Sequence, residues 1–103
     1  MDYRIIKSPS QGTVDILFRR KGSAPSIAIK NYDAVGLVQG RMIDMVFAVD
    51  IAEKAAGVVV EDIKGHCPQH LIMIAIFGDT ASVEAAIQEI QYKLQEAKIG
   101  EMR

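Results

Sequence analysis

The side chains with the greatest potential for chemistry lie in one short segment, Lys64-Gly65-His66-Cys67-Pro68-Gln69-His70. It holds the only cysteine and both histidines of the 103-residue chain. A lone cysteine is most often a small buried hydrophobe or an inert thiol. Cys67, however, lies in a polar turn between two predicted strands and not on an apolar face, which favours metal or redox chemistry.

The residues on either side of Cys67 favour a loop that exposes the thiol. Gly65 relaxes the backbone before it, and Pro68 fixes φ directly after it. Nitrogen and sulfur ligands also suit zinc, but His66, Cys67 and His70 are too closely spaced for one zinc within one chain. A zinc site shared between chains stays open, as does the alternative that both histidines are solvated loop residues, which is favoured for His70.

Composition and sequence patterns argue against several classes of function. The chain has 12 basic and 13 acidic residues, a net charge of -1 and 50% hydrophobic residues. No basic excess indicates a nucleic-acid partner, since the longest basic run is Arg19-Arg20-Lys21. No leader-like segment or stretch of about 20 apolar residues appears, so we expect a cytoplasmic protein without a membrane partner. No catalytic constellation is present, so we expect no enzyme and no catalytic residues.

The first third of the chain predicts an N-terminal β arm. In Thr13–Arg19 the apolar residues Val14, Ile16 and Phe18 alternate with the other side chains, which is typical of a half-buried strand. Tyr3–Lys7 is expected to form a small hairpin with it. After Pro25, residues 26–31 favour one short helical turn.

The rest of the chain predicts the core. The pattern indicates strands at Ala34–Val38, Val58–Lys64 and Leu71–Phe77, and helices at Arg41–Ala56 and from Asp79 or Thr80 onwards. Gly36 is a position where another backbone can approach closely. The first helix has a buried stripe that includes Met42, Met45 and Val46, and a second apolar row of Ile43, Phe47 and Ile51, so we expect an additional partner to cover it. The predicted class is α+β, with helices packed on one face of a four-stranded antiparallel sheet.

Three segments resemble the shell domain of bacterial microcompartments: Ala34–Val38, Ala48–Val58 and Gly78–Ala86. The resemblance covers residues 34–97 and implies a flat cyclic homohexamer that tiles with other shell proteins. Family members usually end with a strand, whereas here only Lys98–Arg103 remain. The chain therefore resembles circularly permuted members of the family, in which the last strand is moved to the front; here that strand is predicted at Thr13–Arg19. The predicted single domain has an N-terminal arm with this strand at residues 1–33, a core at 34–97 and a tail at 98–103.

The same resemblance implies that the connection after Ile63 lines the central pore, with Lys64, Gly65, His66, Cys67, Pro68 and Gln69. The run Gly65-His66-Cys67-Pro68-Gln69 is similar to the Gly-X-Cys-Pro-Gln signature of the GrpU-type shell proteins of glycyl-radical-enzyme microcompartments, whose pore resembles an iron–sulfur site. It implies a [4Fe–4S] cluster shared between subunits, used for electron transfer or cluster delivery across the shell and readily lost to oxygen.

One thiol per chain serves such a cluster only if copies meet about an axis, because a cluster generally takes about four thiolates. Six equivalent thiols exceed that number, so only some ligate, or His66, Gln69 or solvent completes the set. Lys64 is either a simple loop charge or a source of anion preference.

Two other functions stay open. One is a small-molecule-binding regulatory oligomer on a related α+β fold, with Cys67 not a ligand. The other, a thiol-dependent redox enzyme, lacks a second cysteine. If the chain is a shell tile, Lys30, Asp44 and Glu53-Lys54 are candidates for its edge.

Overall fold

The structure, a computed structural model, describes residues 1–20, 32–55, 57–65 and 71–101. The described elements follow one another along the chain as β1 (Asp2–Lys7), α1 (Gln11–Arg20), β2 (Ala34–Arg41), α2 (Met42–Lys54), β3 (Val58–Ile63), β4 (Leu71–Gly78) and α3 (Thr80–Glu101). The α+β class and the four-stranded antiparallel sheet are confirmed. The predicted helical turn at residues 26–31 lies outside the described residues.

The sheet has the strand order β1-β2-β4-β3, and all neighbouring strands are antiparallel. β2 and β4 are the central strands, which explains the apolar runs Ala34–Val38 and Leu71–Phe77, since both faces of a central strand are covered. β4 pairs with β2 along its whole length, from Ala34 opposite Gly78 to Arg41 opposite Leu71.

Helices α2 and α3 pack side by side on one face of this sheet, as predicted. Their buried side chains, among them Met45, Ala48, Val83 and Ile90, form the larger core cluster with inward residues of the central strands. α3 begins where Asp79 caps it, because the Asp79 Oδ1 accepts a hydrogen bond of 2.7 Å from the backbone N–H of Ser82. Hydrogen bonds from the backbone and then the side chain of Ser82 hold the pKa of Asp79 below its usual value.

The prediction of a strand at Thr13–Arg19 is wrong. These residues belong to the helix α1, which begins after Ser10, and the Ser10 hydroxyl accepts a 3.3 Å hydrogen bond from the backbone N–H of Thr13. The helix buries Leu17, with Val14 packed beside it, in a second core cluster with Val35 and Phe77 of the sheet. Since that cluster lies on the face opposite α2 and α3, the expectation of helices on one face only is also wrong.

The strand at the front of the chain is Asp2–Lys7 instead. It does not form a hairpin with residues 13–19 but joins the sheet as an edge strand, with Asp2 opposite Gln39 and Lys7 opposite Ala34. A displaced strand therefore does complete the sheet from the N-terminal side, as the permuted arrangement requires. Its location is about ten residues earlier than the sequence pattern indicated.

The remaining differences concern helix ends. α2 ends at Lys54 and not at Ala56, and Gly57, with a φ of 83°, makes the turn into β3. α3 continues to Glu101, beyond the predicted core boundary at residue 97.

Candidate functional site

The segment with the cysteine connects β3 to β4 at one end of the sheet. β3 ends at Ile63, which pairs with Met73, and β4 begins at Leu71. Because Leu71 lies opposite Arg41, the last residue of β2, the first turn of α2 lies at the same end of the molecule. This end of the fold therefore gathers the connection at residues 64–70, the end of β2 and the beginning of α2.

The structure places Lys64 and Gly65, both exposed, at the start of the connection. His66, Cys67, Pro68, Gln69 and His70 lie outside the described residues. Within residues 1–20, 32–55, 57–65 and 71–101, no group of three or more His, Cys, Asp or Glu side chains is close enough to hold a metal ion. The predicted metal and cluster ligands thus stay predictions from sequence.

Gly65 has open space around it. A Cβ built on this residue meets no atom within 4 Å, and its φ is not in the left-handed region. Neither a positive φ nor a close contact with the described residues therefore requires glycine here.

The base of the connection is fixed to α1. The backbone N–H of Lys64 donates a 2.6 Å hydrogen bond to the carbonyl oxygen of Arg20, the last residue of that helix. Arg19, Arg20 and Lys64 are all exposed, so three cationic residues belong to this junction. The sequence pattern placed Arg19 at the end of an arm strand and Arg20 only in the basic run Arg19-Arg20-Lys21. It connected neither with the pore segment.

The first two turns of α2 expose four large apolar side chains at the same end of the fold. We call this surface the α2 patch; it consists of Met42 (59% exposed), Ile43 (69%), Val46 (65%) and Phe47 (39%). The expected second apolar row is confirmed for Ile43 and Phe47, whereas its third member, Ile51, is buried. Met42 and Val46 were predicted to be in the buried stripe, and that prediction is wrong: they lie on the outer side of the helix, next to that row.

The second half of α2 has a different outer surface, which is charged. Lys54 forms a 2.8 Å ion pair with Asp50, and both border an open groove of about 580 Å³ between α2 and α3. Of the candidate edge residues, Lys54 lines this groove, whereas Asp44 forms a 3.6 Å ion pair with Arg41 at the other end of the helix. Glu53, next to Lys54, is exposed on α2, and Lys30 lies outside the described residues.

No helix within the described part of the chain is long and apolar enough to cross a membrane. This result agrees with the absence of any long apolar segment in the sequence.

Comparison with known proteins gives a consistent result. A family model described as the BMC domain matches residues 34–102. The ligand-free structure of the GrpU microcompartment shell protein from Clostridiales bacterium 1_7_47FAA is 56% identical, with a TM-score of 0.74, over 96% of this chain and 98% of its own. The ligand-free GrpU shell protein from Pectobacterium wasabiae is 37% identical, with a TM-score of 0.69, over 87% of this chain and 99% of its own. No curated protein sequence matches.

Proposed function

Because this chain belongs to the BMC-domain family of microcompartment shell proteins, we propose that six copies form a ring whose central pore binds an iron–sulfur cluster through Cys67. Family membership makes the chain a structural, non-enzymatic component of the shell. It also decides between the two leading interpretations of the sequence in favour of the shell subunit over the ligand-binding regulator. Shell proteins of this family typically assemble as hexamers.

The observation that carries the proposal is the position of the connection between β3 and β4. Its two described ends, Lys64 and Leu71, lie at one extremity of the sheet, where β3 ends and β4 begins. A symmetry axis near this extremity brings identical connections together. One thiol per chain then becomes a set of thiols, which no single copy can supply.

The donor set of the connection fits an iron–sulfur cluster. Thiolates are the usual ligands of such clusters, and Cys67 contributes one from each copy. A cluster takes about four ligands, so the six thiolates of a symmetric ring cannot all bind it. Either only some of them bind, which breaks the sixfold symmetry locally, or His66, Gln69 or solvent would complete the set. We assign the cluster as a [4Fe–4S] unit because of the Gly-X-Cys-Pro-Gln resemblance. When bound, it would supply one-electron transfer or would itself be delivered across the shell.

The residues around Cys67 have supporting roles. Lys64 and the two arginines at the end of α1 add positive charge at the base of each connection, and six copies multiply it around the pore. A positive field of this kind favours a negatively charged group at the axis, such as a thiolate-bound cluster. Gly65 and Pro68 leave room and restrict the backbone on either side of the thiol.

Anaerobic reconstitution with iron and sulfide tests the proposal. We expect the wild-type protein to develop the absorption of an iron–sulfur cluster and, after one-electron reduction with dithionite, its electron paramagnetic resonance signal. The Cys67→Ser variant should lose both while it remains a ring. His70→Ala is the matched control within the same connection, and it should retain the cluster. The His66→Ala variant tests whether His66 is a ligand. If it is, this variant should bind less iron than the wild type.

Two outcomes would contradict the proposal. Equal iron in wild type and Cys67→Ser would show that the thiol is not the ligand, and a wild-type ring without any cluster spectrum would remove the cluster. Two further measurements distinguish the two roles of the cluster. A reversible redox titration supports electron transfer, whereas transfer of iron and sulfide to an apo acceptor protein supports delivery.

A further inference from the structure

The α2 patch is a surface that the fold of the single chain and the proposed cluster leave unexplained. Its four side chains occupy positions 42, 43, 46 and 47, which form one continuous face over the first two turns of the helix. The opposite face of the same turns, at Met45 and Ala48, is fully buried in the core. The beginning of α2 is thus apolar on both sides, whereas a surface helix normally has one apolar stripe and a polar outer face.

The apolar surface is confined to one end of the helix. Farther along the same outer face, positions 50, 53 and 54 are charged, and Asp50 and Lys54 form an ion pair exposed to solvent. The ion pair between Arg41 and Asp44 borders the patch at the start of the helix. A compact apolar area with a charged border is the usual composition of a protein–protein contact and not of a solvated surface.

The location of the patch identifies its partner. The pairing of Arg41 with Leu71 places the first turn of α2 at the same extremity as the cysteine-containing connection. In a ring whose axis passes near that connection, the surfaces beside it are those where neighbouring copies approach one another most closely. In the proposed ring, the patch would therefore lie beside the place where the six connections meet.

We infer that the α2 patch is the contact through which each copy packs against the next copy of this chain in the ring, and that this contact holds the Cys67 connections at the axis. The inference rests on the proposed ring and adds the surface that closes it. A cyclic assembly uses a heterologous contact, so the patch of one copy packs on a different surface of its neighbour. Burying Ile43 and Val46 there removes the most exposed apolar side chains of α2 from water.

The test is the assembly state of Ile43→Asp, measured by sedimentation velocity over a range of protein concentrations. A charge at this position would be desolvated in the contact, so we expect association weakened by roughly tenfold or more and a shift from ring to single chains. Tyr92→Asp is the matched control, because Tyr92 is an exposed aromatic residue on α3, outside the patch. It should assemble as the wild type does.

Circular dichroism and a cooperative unfolding transition establish that Ile43→Asp is folded; Ile43→Gln, a milder change at the same exposed position, replaces it if it is not. Assembly of the patch variant as tightly as wild type overturns the inference. A wild-type protein that is monomeric at all concentrations overturns the inference and the proposed ring together. A wild-type ring that binds no iron but separates on Ile43→Asp leaves the contact supported and removes only the cluster.

Discussion

At the scale of single residues, Gly36 sets the distance between the sheet and α3. A Cβ built on Gly36 lies 2.8 Å from Cδ1 of Ile87 and 3.0 Å from Cγ1 of Val83. Both distances are shorter than ordinary contacts between side chains. The sequence predicted a close approach at this glycine, but expected another backbone there. The structure places two side chains of α3 against it instead.

Replacing Gly36 by valine is therefore expected to lower the free energy of unfolding by about 1–3 kcal/mol, because the added methyl groups force α3 away from β2. Gly12→Val is the matched control, since nothing lies within 4 Å of a Cβ at Gly12. That control should change the free energy of unfolding by about 0.5 kcal/mol or less. Urea unfolding at matched protein concentration measures both. Equal losses in the two variants would show that α3 does not pack closely on Gly36.

For Cys67, in contrast, the structure of the single chain adds little to what the sequence predicts. Its neighbours in the sequence indicated a presented thiol, and the Gly-X-Cys-Pro-Gln resemblance indicated a cluster. The fold of one chain cannot form that site, because the ligand set requires thiols from several copies. The residues therefore predict a thiolate ligand, and the proposed site depends on the assembly of several copies.

At the scale of elements, α1 shows where sequence patterns are ambiguous. Val14, Ile16 and Phe18 alternate, which predicted a strand, but Val14 and Leu17 are three residues apart and also fit one face of a helix. The structure buries Leu17 and leaves Ile16 49% exposed. Ser10, whose hydroxyl binds the backbone N–H of Thr13, was the available signal for a helix start.

Two alanine substitutions distinguish the helix from the predicted strand. Leu17→Ala should cost about 2–5 kcal/mol of unfolding free energy, because Leu17 is buried in the cluster between α1 and the sheet. Ile16→Ala should cost less than about 1 kcal/mol, since much of this side chain is already in water. Chemical denaturation of both variants at one protein concentration makes the comparison. The strand predicts the reverse order, so a larger loss for Ile16→Ala would contradict α1.

The role of the front strand was missed for a different reason: Tyr3–Lys7 was predicted as one arm of a hairpin, and its pairing with β2 was not. β1 is an edge strand with only Tyr3 and Ile6 partly buried, so its sequence has little of the regular alternation that identifies a half-buried strand. It is defined mainly by its backbone pairing with β2, a long-range interaction that no local pattern encodes. The central strands and both long helices were predictable because their own burial patterns are strong.

At the scale of the whole molecule, the sheet separates two core clusters, one on each of its faces. One face carries α2 and α3, whose outer surfaces provide the α2 patch and the charged groove. The other face carries α1, whose last residue is hydrogen bonded to the start of the cysteine-containing connection. The sequence predicted that an additional partner covers the first long helix, and the fold locates the exposed apolar side chains of that helix near the start of the connection.

The central claim is that one ring holds one cluster at its axis, and native mass spectrometry of anaerobically reconstituted protein tests it most directly. We predict six chains with the added mass of a single four-iron, four-sulfur cluster, and six chains without added mass for Cys67→Ser. Iron bound to single chains, iron that scales with chain number up to six sites per ring, or the same added mass on rings of Cys67→Ser would contradict it.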